Sequence, residues 1–334
     1  MMEKSTRAAP VAGLAHRDRI VAEDVTMLRS DVFGDGVVTQ AEAEALLALD
    51  ADRADKCPEW DVFLVEAVTD YVVRQEKPYG YISAQNAAWL ISVVADDGIV
   101  HSPTHLELLV RVIEAAEKSP ESLSAFALNQ VAYAAVEGRG PLANGRTLQP
   151  GVIGEAEVEL VRRILYAFGG SGNVGITRAE AEVLFDINDR TSEALNHPAW
   201  NDLFVKAVAS SILCASGYAP PSREEALRRD AFFDKAEPDL AGFFARMVNG
   251  GLRAVVDAYV WPSSVESGWA SRNRAAAAKA RTAAAVDEGE ARWLAERIGR
   301  DGKLHESEAA LLSFIGREAP SIHAELEPLL ARAG

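Results

Sequence analysis

Along the chain, apolar residues return every three or four positions. Val158, Val161, Ile164, Leu165 and Phe168 do so in one stretch, and Leu106, Leu109, Val110 and Ile113 in another. That spacing lays an apolar stripe along one face of an α-helix. Runs of β-branched residues alternating with polar ones, the mark of half-buried strands, do not occur in the sequence. Helix starts are marked too. Thr39-Gln-Ala-Glu42, Thr177-Arg-Ala-Glu180 and Asp287-Glu-Gly-Glu290 each set an oxygen at the helix entry and a carboxylate three residues on. This is the form of a capping box, in which each side chain accepts a bond from the other residue's backbone N–H. The pattern predicts an all-α protein.

The same pattern occurs twice. TQAEAEALLALD from Thr39 matches TRAEAEVLFDIN from Thr177, an offset of 138, and PEWDVFLVEAV from Pro58 matches PAWNDLFVKAV from Pro198, an offset of 140. ISAQNAAWLISVVADDGIVH from Ile82 pairs with VDEGEARWLAERIGRDGKLH from Val286 at an offset of 204, which aligns Trp89 with Trp293, Asp97 with Asp301 and His101 with His305. Three blocks in one order predict two tandem, duplicated helical domains. The expected layout is a flexible N-terminus over 1–19, a first domain over 20–136, a Gly- and Pro-rich linker over 137–154 and a second domain over 155–330. The rise in offset gives the second copy about 64 extra residues. They are expected as a helical insertion at about 219–284.

Composition narrows the function. A chain of 334 residues, 49% hydrophobic and 25% charged, has the material for two globular cores. Its formal charge of −16 argues against nucleic-acid binding, because repulsion from phosphates opposes the encounter. It suits cations or basic partners. Cys57 and Cys214 belong to no CxxC or Cys/His cluster, so neither a disulfide framework nor a structural zinc site is expected. The first twenty residues contain no apolar core of signal-peptide length, and no run approaches a membrane span. The expected compartment is the cytoplasm.

Candidate chemistry lies at four corners: FGDGVVTQAE from Phe33, ADDGIVHSPT from Ala95, SGNVGITRAE from Ser171 and GRDGKLHESE from Gly299. In an EF-hand loop, oxygens at positions one, three, five and twelve surround calcium, and a glycine at six permits the bend. With Gly36 at six, Asp31 falls first, Asp35 fifth, Thr39 ninth and Glu42 twelfth, while Phe33 at three brings no oxygen. The fourth corner keeps Asp301 and Glu308 but has Arg297 in first place. The second has Thr104 where the glutamate belongs, and the third has Asn173 for the aspartate. The metal set expected from this pattern is Asp31, Asp35, Thr39 and Glu42, then Asp301 and Glu308. With a ligand missing, affinity is expected to be weak, of order 10⁻⁴ to 10⁻³ M. The competing reading makes Glu42 and Thr39 a helix cap and nothing more.

The corner D-G-x-hydrophobic-x-x-x-E, twice per helical domain and about 60 residues apart, resembles the TerB tellurite-resistance family. Trp60/Phe63 and Trp200/Phe204 supply the aromatics of the intervening segment. The resemblance covers 20–118 and, around the insertion, 155–330. It implies an all-helical fold, a link to stress and phage-defence systems, and divalent-metal binding by Asp35 and Glu42, then Asp301 and Glu308. Thr104 and Asn173 depart from the family's pattern, leaving one intact corner in each domain.

Two further features bear on partners. LAGFFARMVNGGLRAVVDAYVW, at 240–261, carries enough large apolar residues for a homo-oligomer interface or a membrane-surface contact, or for two helices packed on the second domain. Arg272, Arg274, Lys279 and Arg281 then punctuate an Ala-rich stretch as a basic strip. His101 and His105 stand four apart, a spacing at which helical residues share a face and can hold zinc. No P-loop, GxSxG or strand-borne GxGxxG occurs. The sequence therefore points to a non-enzymatic, stress-type helical module that binds a divalent cation weakly, calcium first, and works through protein contacts. The alternatives are a calcium sensor with one working loop at 31–42 and a membrane-surface scaffold through 240–261.

Overall fold

The computed structural model describes residues 14, 19–34, 36–52, 55–75, 77–143, 148–167, 176–213 and 285–333. Among these the chain forms twelve α-helices and no strand. The apolar run at 240–261, the basic strip, Asp35 and Asn173 lie outside the described residues. In order, α1 spans Ala22–Val32, α2 Gln40–Asp52, α3 Pro58–Arg74, α4 Ala84–Val94, α5 Pro103–Ala115 and α6 Glu121–Glu137. After a 3-10 turn at Pro141–Ala143 come α7 Glu155–Tyr166, α8 Arg178–Thr191 and α9 Ala199–Leu213. Then follow α10 Glu288–Arg297 and α11 Glu306–Glu318, and a second 3-10 turn, Ala324–Leu326, leads into α12 Glu327–Ala333.

The three capping boxes visible in the sequence all form. Glu42, Glu180 and Glu290 accept from the backbone N–H of Thr39, Thr177 and Asp287 at 2.8, 2.8 and 2.9 Å. The Asp-Gly corners that precede α2 and α11 need a left-handed residue. Gly36 supplies φ +74 and Gly302 φ +88, values open to glycine at little cost. Short backbone pairings tie segments together at helix entrances. Cys57 N–H donates to Ile20 O at 3.1 Å, and His197 N–H to Ile153 O at 2.7 Å. Ile82 N–H donates to Lys118 O at 2.9 Å, and Val286 N–H to Ser321 O at 3.0 Å.

Packing follows from the apolar stripes. α3 lies against α1, α2 and α5, and α9 against α7, α8 and α11. α6 runs along α8, and one apolar core continues from the first half of the chain into the second. Trp60, Phe63, Phe185 and Phe204 are its largest fully buried side chains. Each such ring contributes roughly 1.5–3 kcal/mol by leaving water. Phe185 meets Phe204 edge to face at 5.2 Å and Trp293 at 5.7 Å, the geometry that the ring quadrupole favours.

Two tryptophan contacts occur at both members of the sequence-aligned pairs. Trp60 Nε1 donates to Asp50 at 2.7 Å, and Trp200 Nε1 to Asn188 at 3.3 Å. Trp89 Nε1 donates to Glu44 at 3.1 Å, and Trp293 Nε1 to Glu182. Asp50 and Asn188 are both buried, but Asp50 is charged. Lys56 Nζ reaches it at 2.7 Å, and His105 Nε2 stands 3.2 Å away, at ion-pair distance without good hydrogen-bond alignment. Burial alone would raise the Asp50 pKa. Contacts with His105, Lys56 and Trp60 overcome it and hold the carboxyl at about 2, against 3.8.

A folded pKa below the unfolded one gives stability that is complete above the unfolded value and disappears as pH falls through the folded one. Asp50 therefore contributes about 2 kcal/mol at neutral pH, lost between roughly pH 4 and 2. Asp50→Asn is expected to lower stability by about that amount at pH 7 while leaving the pH 2 value nearly unchanged. Denaturant melts at the two pH values check this. A variant equally weakened at both would show that packing, not charge, is what Asp50 supplies.

Candidate functional site

The residues singled out at the corners are dispersed and mostly committed. Asp31 is exposed in the last turn of α1. Thr39 and Glu42 satisfy each other: Thr39 Oγ1 donates to Glu42 Oε2 at 2.7 Å and accepts from Glu42 N–H at 3.3 Å. Glu42 is 5% exposed, so its carboxylate faces the helix start and not the loop. At the fourth corner, Glu308 accepts from Gly299 N–H with one oxygen and from His305 N–H with the other, both at 2.9 Å. Asp301 accepts from Lys303 N–H at 2.9 Å and meets His305 Nε2 at 2.7 Å. The backbone bond from Lys303, then the histidine, lowers its pKa. Among the described residues, no three His, Cys, Asp or Glu side chains converge in a way that could hold a metal.

Arg297 explains much of the fourth corner. In the loop alignment it stands where the first oxygen ligand belongs. In the fold it turns inward, 6% exposed, with its guanidinium 5.2 Å over the Phe185 ring. Glu182 lies 3.3 Å away, Asp186 2.7 Å and Asp189 3.8 Å. Burial raises the Asp189 pKa, Arg297 pulls it back, and Glu308, Asp186 and Asp301 push it up again. Three acids of α8 thus gather around this corner's arginine.

The histidine pair separates. His101 is exposed, while His105 turns towards Asp50. Thr104, which replaces the second corner's glutamate, donates to Asp61 on α3 at 2.9 Å.

That last bond marks the edge of a groove of about 760 Å³ between α3 and α5, with Phe33 at its α1 end. Its apolar floor comes from Phe33, Val62, Val65 and Ala115, and Val62 is 65% exposed. Phe33 is braced edge to face against Phe63 at 6.2 Å. The α3 wall carries Asp61, Glu66, Thr69 and Asp70. Arg29 pairs with Glu66 from α1, and Arg74 approaches Asp70 at 3.8 Å. On the α5 wall, Glu107 and Glu114 are held by Arg163 of α7, which donates to each in bidentate fashion at 2.8–3.2 Å. Those bonds raise the Arg163 pKa. Burial would raise the Glu114 pKa, but Arg163 and Arg111 bring it down. Thr69 is 8% exposed, and its Oγ1 has no hydrogen-bond partner.

Sequence reasoning missed this groove. A signal was present: Asp61, Glu66, Asp70 and Arg74 recur at four- and five-residue steps on an otherwise apolar helix. Such a line of charge on α3 needs a wet face. The second half carries no copy of it. The repeat aligns Asn201, Lys206, Ala209 and Ser210 with Asp61, Glu66, Thr69 and Asp70. On α11, the fully buried Leu311 and Ile315 stand where α5 has Glu107 and Arg111.

The chain matches no family model, no curated protein and no solved structure. The likeness to TerB rests on the corner residues themselves. Among the described residues, no helix is long and apolar enough to cross a membrane.

If the corner carboxylates serve as caps, Glu42→Ala and Glu308→Ala each cost about 1–2 kcal/mol. The loss is expected to be the same in excess chelator and in millimolar calcium. Thermal melts of each variant in both buffers check it. A calcium-dependent loss would return these residues to the role of ligands.

Proposed function

We propose that this chain is a non-enzymatic helical module that works through protein contact, with the groove between α3 and α5 as its contact surface. The observation that carries the reading is the groove's composition: an open apolar floor with exposed Val62, rimmed by charged side chains of α3 and α5. A water-facing valine flanked by charges is the make-up of a small protein interface, with an apolar centre and a polar rim. The aligned positions of the second half support it. Where packing is all that is needed, Leu311 and Ile315 are buried; at the matching α5 positions the chain keeps Glu107 and Arg111 near the surface. The likeness to TerB adds stress response as the setting. Catalysis finds no support in the groove, whose acids are bonded mainly to arginines and hydroxyls and face no histidine or thiol within it.

The second reading is weak divalent-cation binding by the 31–42 loop. It is favoured by Asp31, exposed at the loop's first position, and by the left-handed turn at Gly36. Calcium titrated calorimetrically into chelator-treated protein tests it. Heat that Asp31→Ala removes supports an ion site, and no heat up to about 1 mM ends the idea.

For the groove, full-length protein carrying a photoreactive residue at Val62 is expected to give discrete adducts in extract of its source cell. Glu66→Arg in the same chain should abolish them. The same photoreactive residue at Leu195, 97% exposed and on another surface, should give none. Equal labelling from Val62 and Leu195 would overturn the assignment.

A further inference from the structure

We propose that the occupant of this groove is a basic, amphipathic peptide segment of a partner protein, an inference that rests on the groove being the contact surface. The charge balance sets the sign of the partner. Among the described residues, Asp61 has only the Thr104 hydroxyl as a partner and no cation. Asp70, 19% exposed, accepts from the neutral Gln75 side-chain amide and has Arg74 no closer than 3.8 Å, with Arg74 itself 69% exposed. The Glu66–Arg29 pair is about half exposed on both sides, and Glu107 remains 45% exposed although Arg163 holds it. Exposed ion pairs contribute little net stability, roughly 0–1 kcal/mol. An arriving lysine or arginine therefore exchanges for Arg29 or Arg74 at little cost. It gains the field of a chain whose net charge is −16, which also speeds the encounter.

Shape sets the form of the partner. The α3 wall runs from Asp61 to Arg74. At the rise of an α-helix this is roughly 20 Å, the length of three to four turns laid alongside. Phe33, Val62, Val65 and Ala115 give apolar anchors on the partner a floor to rest on, as in helix-in-groove recognition.

Thr69 supplies an observation independent of the acids. A helical threonine ordinarily returns its hydroxyl to the carbonyl four residues back. Thr26 does so, donating to Ala22 O at 3.0 Å. Among the described residues, the Thr69 Oγ1, in the groove wall and out of contact with water, meets no partner. A buried hydroxyl left unpaired is costly. A turn of the Thr69 side chain toward the groove brings the hydroxyl to a ligand donor or carbonyl there.

The test uses full-length protein and a fluorescein-labelled peptide of about 14 residues with leucines on one face and lysines on the other. Anisotropy is expected to show saturable binding that weakens as salt rises. The double substitution Asp61→Asn with Glu66→Gln should weaken it at least tenfold. Thr69→Val should raise the melting temperature of the free protein while weakening the peptide about fivefold, the equivalent of one hydrogen bond. A Thr69→Val protein that is more stable and binds the peptide unchanged would remove the hydroxyl from the site. Equal binding of a scrambled peptide, or binding indifferent to the acid-to-amide variants, would reduce the effect to general attraction and overturn the proposal. Adducts at Val62 without peptide binding would overturn the basic chemistry and leave the contact surface standing. Failure of both would remove the groove from the protein's function.

Discussion

Every helix begins with backbone N–H groups that no carbonyl of the same helix can meet, and this fold depends on how it meets them. Six helix starts use a carboxylate three residues in. Asp24, Glu42, Glu157, Glu180, Glu290 and Glu308 each accept from the backbone N–H at the entrance. Five of these carboxylates are at most 5% exposed. A buried carboxylate is tolerated where hydrogen bonds replace its water: Glu308 accepts from two backbone amides, Glu42 and Glu180 from an amide and a hydroxyl, and Glu157 from the Gly154 amide. The corners can then be short, and short corners allow twelve helices to share one core.

The same constraint explains why the corners look like metal loops and are built otherwise. An acid placed near a Gly turn, with a hydrophobic residue between, is required both by an ion-binding loop and by a capped corner. The two differ in where the carboxylate points, which sequence does not record. Glu308 shows the distinction most clearly, with one oxygen on Gly299 and the other on His305. The Gly299 bond spans the loop and closes it from within. Arg297 completes the substitution by placing a guanidinium among Glu182, Asp186 and Asp189. Read along the chain, that arginine argues only against a bound ion. In space it supplies the positive charge those acids need, and it was illegible because its partners lie on α8, more than a hundred residues earlier.

Legibility here follows sequence distance. Helix spacing and capping boxes are local, within four residues, and the sequence shows them plainly. The paired tryptophans were visible as aligned letters, but their partners were not. That Trp60 and Trp200 both donate to a side chain at the end of the preceding helix, and that Trp89 and Trp293 both reach back to a glutamate, required the fold. The groove is the least local feature of all. It exists because α5 returns alongside α3 and because Arg163 comes from α7 to hold Glu107 and Glu114. Only the charged steps along α3 hinted at it.

Buried carboxylates also divide by what surrounds them. Asp50 meets a lysine, an indole and a histidine, so its charge is favoured in the fold. Glu180 is pushed the other way: burial raises its pKa, and the Thr177 backbone bond, the strongest of its opposing contacts, does not bring it back. Among the described residues, its Oε1 is buried without a well-aligned hydrogen bond, although the nearby Ser124 hydroxyl of α6 helps to lower the pKa. An acid whose folded pKa lies above the unfolded one contributes stability below the unfolded value and loses it as pH rises through the folded one. Glu180 sits on α8, which packs along α6. The contact between the halves therefore carries a charge it tolerates poorly, while the Asp50 cluster within the first half carries one it needs. In both places the acid's environment is fixed by the fold. The rim of the groove differs, since Asp61 keeps an exposed charge beside the Thr104 hydroxyl, and the half-buried Asp70 has the Gln75 amide and a distant Arg74. A molecule that commits so many of its acids to its own backbone and arginines leaves that rim as the place where an outside cation has most to gain.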